Sequence, residues 1–248
     1  MKAWIKGIGY VTGAGFGAGL EAGADLLCPG EVRVPQRKEV FSGVDRRYGR
    51  LDPFSRLGLA ALALCLRDAA MEKWEEKRAI GIVAASRYGC VNTDLDYLDT
   101  MLPDEGRFAS PNLFAYTLPN CSLGEAALRF GLSGTTVVLN HHDPGGLAPL
   151  GYALEELHWS TQDGMLAGMC DLPPALEDSS DAKYCGSIFF LLHKVADSQD
   201  RAAGELGKTW KHARGYAQLE STPEGLHVDG KPVADLAALL DACAGSRS

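Results

Sequence analysis

"TTVVLNHHDPGGLAPLGYALEELHW", residues 135–159, changes character at its middle. Thr135, Thr136, Val137, Val138, Leu139 and Asn140 form a β-branched, apolar run that reads as a strand. Beyond the glycine pair, Leu147, Leu150, Leu154 and Leu157 recur at helical spacing, with Asp143 placed to cap the helix and Pro144 suited to its first turn. A strand that turns a short corner into a helix is the repeating unit of a layered α/β sheet. The corner also carries His141, His142 and Asp143, residue types that bind metals or move protons.

The flanking sequence repeats the unit. "AWIKGIGYVT" (3–12) alternates as an opening strand and meets the glycine-rich "GAGFGAG" (13–19), which reads as a tight turn. After an excursion broken by Pro29, Gly30, Pro35 and Gly43, Asp52 caps and Pro53 starts a helix, "FSRLGLAALALCLRDAAMEK", whose apolar residues cover more than one face and predict burial. "AIGIVAAS" (79–86) reads as a buried strand, followed by a loop and short helix and then by the proline-bounded "ASPNLFAYTLPN". In "CSLGEAALRFGLSG", Ser122 and Glu125 have the spacing of a capping box and Gly131 ends the helix. "GMLAGMC" (164–170), "CGSIFFLLHKV" (185–195) and "KTWKHARGYAQLE" (208–220) read as three further strands. The sequence changes character after residue 220. Residues 221–248 read as a linker or hairpin and then a helix, with Val233, Leu236, Leu239, Leu240 and Cys243 on one stripe that docks on a body formed by 1–220.

Bulk properties bound the function. A chain of 248 residues with 46% hydrophobic residues has enough apolar surface for a sizeable core. The net charge of -8 argues against nucleic acid, which requires clustered Lys and Arg. Seven scattered cysteines, none spaced C-x-x-C, fit reduced thiols and a cytoplasmic location. No apolar run approaches eighteen residues and no secretory leader is visible, so the sequence predicts a soluble intracellular protein with no membrane span.

The candidate sites divide by geometry. "GIGYVTGAGFG" lacks the G-x-G-x-x-G and the acidic partner of a dinucleotide fingerprint, so no cofactor is expected. Adjacent strand residues point to opposite faces, so His141 and His142 are poorly placed to share one ion, and no metal is expected. No G-x-S-x-G is present, and no thiol follows the 135–140 strand.

Taken in order, the motifs resemble the N-terminal half of β-ketoacyl synthases. "GIGYVTGAG" is similar to that family's first strand and turn, and "RLDPFSRLGLAALALCLRDA" to its R-x-D-x-F-S/T-R-x-x-L-A-A helix. "SPNLFAYTLPNCSLGEAALRFGLSGTTVV" resembles the S-P…PN…G-L-x-G-P segment, and "RAIGIVAASRYG", "GMLAGMCD" and "CGSIFFLLHKVADSQDRAAG" resemble its later strands. The resemblance covers about residues 3–220. It implies half of a thiolase-like fold, a mixed five-stranded sheet covered by helices.

The resemblance also marks two departures. Aligned on Gly134 and Gly146, Asp143 stands where the family has its acyl-accepting cysteine, and a carboxylate cannot form the thioester. The family's catalytic histidines belong to a second half that this sequence is expected to lack; His141 and His142 precede the nucleophile position and do not replace them. The resemblance further implies that Thr135–Asn140 face a partner across a dimer axis, and that Leu113, Phe114, Tyr116, Thr117 and Leu118 line the partner's acyl pocket. The expectation is therefore a non-catalytic, chain-length-factor-like subunit of fatty-acid or polyketide biosynthesis, as in aryl-polyene systems. Its partner would be a full-length ketosynthase, with acyl carrier protein engaged through that partner. Two alternatives stay open: a decarboxylase or hydrolase of acyl or malonyl thioesters using Asp143 or His142, and a homodimeric module that binds acyl carrier protein or lipid.

Overall fold

The computed structural model describes residues 1–20, 25–28, 30–140, 143, 145–174, 185–194 and 215–245. The sheet contains β1 (Lys2–Thr12), β2 (Gly15–Ala18), β3 (Ile80–Ser86), β4 (Thr136–Asn140), β5 (Gly164–Asp171), β6 (Gly186–Lys194), β7 (Gln218–Thr222), β8 (Gly225–Val228) and β9 (Lys231–Pro232). Its order is β4-β3-β5-β6-β1-β7-β8-β9, with β2 paired to β1. β4, β3 and β5 run parallel; β6, β1 and β7 are antiparallel to their neighbours. The expected mixed five-stranded sheet is the β4-to-β1 portion. The full sheet is larger because "TPEG" closes a β7–β8 hairpin whose first strand pairs with the N-terminal end of β1, Lys2 opposite Glu220. Residue 220 thus lies within β7, and the strand read over 208–220 begins at Gln218; residues 208–214 lie outside the described ones.

Among the described residues the α-helices are α1 (Arg37–Val40), α2 (Pro53–Asp68), α3 (Val91–Met101), α4 (Pro111–Phe114), α5 (Cys121–Phe130), α6 (Ala148–Trp159) and α7 (Leu236–Gly245). Strand periodicity assigns them to two faces. Ile82, Ala84, Phe189 and Leu191 point into a core shared with α2 and α5, while Val83, Ile188, Phe190 and Leu192 point into a second core shared with α6 and α7. The result is a sheet covered on both sides, which explains why β3 and β5 are buried at every position and read as continuous apolar runs. The tail stripe docks as expected, with Leu236, Leu239, Leu240 and Cys243 buried beside Leu150 and Leu154 of α6.

The glycine run at 13–19 turns a hairpin: Thr12 pairs with Gly15, leaving Gly13-Ala14 as the two-residue turn. At α2 the expected cap forms. Asp52 accepts from the amides of Phe54 (3.1 Å) and Ser55 (3.2 Å), and also from the Thr93 hydroxyl of α3 (2.8 Å). All of these groups are buried, so Asp52→Ala should cost roughly 2–4 kcal/mol, lowering the urea midpoint at unchanged slope.

Two expected caps differ. The Ser122–Glu125 box does not form: α5 begins at Cys121, Ser122 lies inside the first turn, and Glu125 pairs instead with Arg47 at 3.3 Å. Ser122 is buried against α2, its hydroxyl 2.9 Å from where a Cβ on Gly58 would stand, so a tertiary contact displaced the local pattern. α6 begins at Ala148 rather than beside Asp143, with Pro149 in its first turn; Pro144 lies outside the described residues.

On β6, His193 sits opposite Trp4 and Gly164, and burial together with the nearby Lys6 cation holds its imidazole down to about 4. The unfolded chain therefore binds a proton that the folded chain refuses. Stability from this group is complete above pH 6.5 and lost as the pH falls toward about 4. A thermal-melt series over that window should show the loss, and His193→Gln should flatten it.

Candidate functional site

The candidate interface is β4, the edge strand on the parallel side of the sheet. Its lower end is fixed by a polar network that terminates the preceding turn: Thr135 donates its amide to Gln162 Oε1 (2.9 Å) and its hydroxyl to Glu156 (2.7 Å), and Gln162 Nε2 donates to the same carboxylate (2.8 Å). Gly81 and Gly134 admit the Gln162 side chain, since a Cβ on either would lie 2.3 or 2.0 Å from its Oε1. Thr135 then directs its carbonyl at Ile82 N of β3 (2.7 Å). Backbone alternation along the strand turns Val137 and Leu139 toward β3 and leaves the N–H and C=O groups of Thr136, Val138 and Asn140 facing outward. Side chains alternate across the sheet: Val138 packs on the α2 core, Val137 and Leu139 on the α6 core. The opposite edge is protected differently, by a two-residue β9 that contains Pro232.

Asp143 lies at the corner between β4 and α6. Its carboxylate accepts from Gly145 N (2.9 Å) and from Ala148 N (2.6 Å), the first residue of the helix. It thus satisfies a helix-terminal amide from a distance rather than as the adjacent cap. His141 and His142 lie outside the described residues. Among the described residues no three His, Cys, Asp or Glu side chains are grouped as metal ligands.

A second knot at the same end of the sheet escaped the sequence reading. Asp171, at the end of β5, accepts from Ser86 Oγ (2.8 Å), Arg87 N (2.9 Å) and Tyr88 N (3.1 Å), while Ser86 Oγ accepts from Gly89 N (2.8 Å). Burial pushes the Asp171 carboxyl up and these donors pull it back. The knot aims the chain into α3. A carboxylate closing an otherwise apolar strand was the available signal.

α3 and α4 carry apolar side chains to the surface. Leu95 and Leu98 of α3, Phe114 of α4, and Leu102, Phe108 and Leu118 in the adjoining connections are exposed, and the Phe114 ring lies tilted against Tyr97 with centroids 5.5 Å apart. Of the five residues expected to line a partner's pocket, Phe114 and Leu118 are exposed and Leu113 and Thr117 half-buried. Tyr116 is half-buried as well and packs against the α2 core.

All seven cysteines are free. Burial pushes Cys90 and Cys243 up to about 12 and raises Cys65, Cys121, Cys170 and Cys185 as well, so these six are thiols rather than nucleophilic thiolates at neutral pH. Among the described residues no helix is long and apolar enough to cross a membrane.

Comparison with known proteins agrees with this architecture. Residues 31–178 match the family model of the β-ketoacyl synthase N-terminal domain. A putative polyketide β-ketoacyl synthase 1 of Streptomyces virginiae is 26% identical over 182 residues, which cover 68% of this chain and 39% of that protein. The chain thus spans about two fifths of the length of that curated relative. Among solved structures, the ishigamide ketosynthase/chain length factor aligns with a TM-score of 0.62 at 18% identity, covering 88% of this chain and 62% of the other. A chain of the complex between a ketosynthase and its chain length factor from Xenorhabdus doucetiae aligns with a TM-score of 0.54 at 18% identity, covering 79% of this chain and 80% of the other, so the two are of nearly equal length. At such identities the structures show a shared fold. The matched segment begins ahead of α2, runs through β4 and the Asp143 corner, and takes in all of β5: this chain belongs to the β-ketoacyl synthase N-terminal domain family.

Proposed function

We propose that the chain is a non-catalytic ketosynthase-like subunit that pairs with an active ketosynthase through β4 and shapes its acyl pocket through the α3–α4 surface. The observation that carries this reading is Asp143. At the position where the family motif has its cysteine stands a carboxylate whose two oxygens hold the amides of Gly145 and Ala148. Such a group anchors a helix start and cannot carry an acyl chain as a thioester. The apolar side chains exposed on and beside α3 and α4 and the edge of β4, which pairs with no further strand among the described residues, are the features a partner would cover. The free thiols fit a cytoplasmic setting, and acyl carrier protein would be engaged by the partner.

The test is co-expression with the ketosynthases encoded beside it. A one-to-one complex whose condensing activity survives Asp143→Ala supports the reading. A stable monomer or homodimer with every one of them overturns it. Turnover of malonyl-loaded carrier by the isolated chain, lost on Asp143→Ala in a folded sample, would instead establish the decarboxylase or hydrolase.

A further inference from the structure

We infer that residues 233–236, the segment entering α7, form a strap that locks the Asp143 corner shut on its inner side, so that an acyl thioester reaches residue 143 from that side only when the strap leaves. The inference rests on the reading of Asp143 as the vacated nucleophile position. Leu236 donates its amide to the Gly145 carbonyl at 2.8 Å, joining the tail to the corner through backbone. Beside it, the Ala234 carbonyl is 3.2 Å from where a Cβ on Gly145 would stand, and the Asp143 carboxylate is 3.4 Å from the same point. Gly145 is therefore wedged between the carboxylate and the strap. A methyl group there would need the Ala234 carbonyl to give by a few tenths of an ångström, and a thioester needs far more room than that.

The strap is anchored at both ends. Val233 donates to the Leu226 carbonyl of β8 at 2.9 Å, and the Asp235 carboxylate accepts from Ala238 N at 3.0 Å, capping the first turn of α7. Val233 and Leu236 are buried in the core that also holds Leu150 and Leu154 of α6. Opening the corner thus requires breaking a backbone bond and withdrawing apolar side chains from the α6 face. That couples the corner to the docking of a helix some ninety residues away in sequence.

The test uses Asp143→Cys in the full chain as a thiol reporter, alkylated with iodoacetamide and mapped by peptide mass spectrometry to separate it from the native cysteines. With the strap in place, alkylation should be at least about tenfold slower than in the same chain unfolded in guanidinium. Adding Leu236→Pro removes the amide donor at the first helical position, where proline is tolerated. It should raise the rate at least about tenfold, with α2 and the sheet still folded by circular dichroism. A folded-state rate equal to the unfolded rate overturns the strap even if the proline variant fails to fold, and so does a rate that Leu236→Pro leaves unchanged. The pairing reading fails separately, through absence of a ketosynthase complex, and neither result decides the other.

Discussion

Gly9→Val should yield no folded protein, and even Gly9→Ala should lose roughly 3 kcal/mol or more. α2 crosses β1 so closely that a Cβ at Gly9 would stand 2.1 Å from Cys65 N and 2.3 Å from the Ala61 carbonyl; at Gly7 it would stand 2.6 Å from the Cys65 carbonyl. These neighbours are main-chain atoms of a buried helix, so no side-chain rotation relieves the clash. α2 would have to lift by roughly 1.5 Å to restore ordinary contact distances. Lifting it strips Leu57, Leu62 and Leu66, all fully buried, from the sheet. Valine adds two further methyl groups at the same place, and a domain with about 5–15 kcal/mol of total stability does not tolerate the sum. Soluble yield and thermal melts of the two variants check this. Gly124→Ala serves as the contrast: that glycine lies in α5 with open space around it, and alanine there should stabilise by up to about 1 kcal/mol.

The glycines of β1 also mark where sequence reading stops. Its alternation identified β1 as a strand, yet the reason for Gly7 and Gly9 is the approach of α2, and nothing within ten residues of them records it. Signals that are local and strong survived folding: Asp52 and Pro53 start α2, Gly131 ends α5 in the left-handed region at φ 63°, and the buried runs became β3, β5 and β6. Local signals that competed with a long-range contact did not. Ser122 had the spacing of a cap but was needed against Gly58, and the start of α6 moved to Ala148, in the corner that Leu236 N holds by the Gly145 carbonyl. β7 was half-visible because its pairing depends on Lys2 and Trp4 at the far end of the chain.

The candidate site follows the same division. Thr135–Asn140 were legible as a strand, but a strand's place at an edge depends on the order of the whole sheet, which periodicity does not contain. The resemblance supplied that expectation. The Gln162–Glu156–Thr135 network was invisible in advance, and the Ser86–Asp171 knot showed only as a carboxylate closing β5, since each joins residues from separate elements. These two networks set where β4 starts and where α3 departs, and so fix the two elements that the proposed partner would cover.

On the proposed pairing through β4, Val138→Pro should abolish association with a ketosynthase while leaving the chain folded. The Thr135 carbonyl bonds to Ile82, so Val138, three positions on, presents its N–H and C=O to the open side of β4. Proline there removes an outward donor and keeps the β3 ladder, a setting in which a strand accepts it. Its ring also occupies the space a pairing strand would need. Val138→Ala separates the backbone effect from the packing effect, because it withdraws the side chain from the α2 core and leaves the N–H in place. If β4 pairs edge to edge, affinity measured by titration calorimetry should fall at least about 100-fold for proline and only a few-fold for alanine, main-chain bonds being what holds an added strand. Equal losses for the two would place the interface on side chains of α3 and α4, and no loss for either would move it off this face.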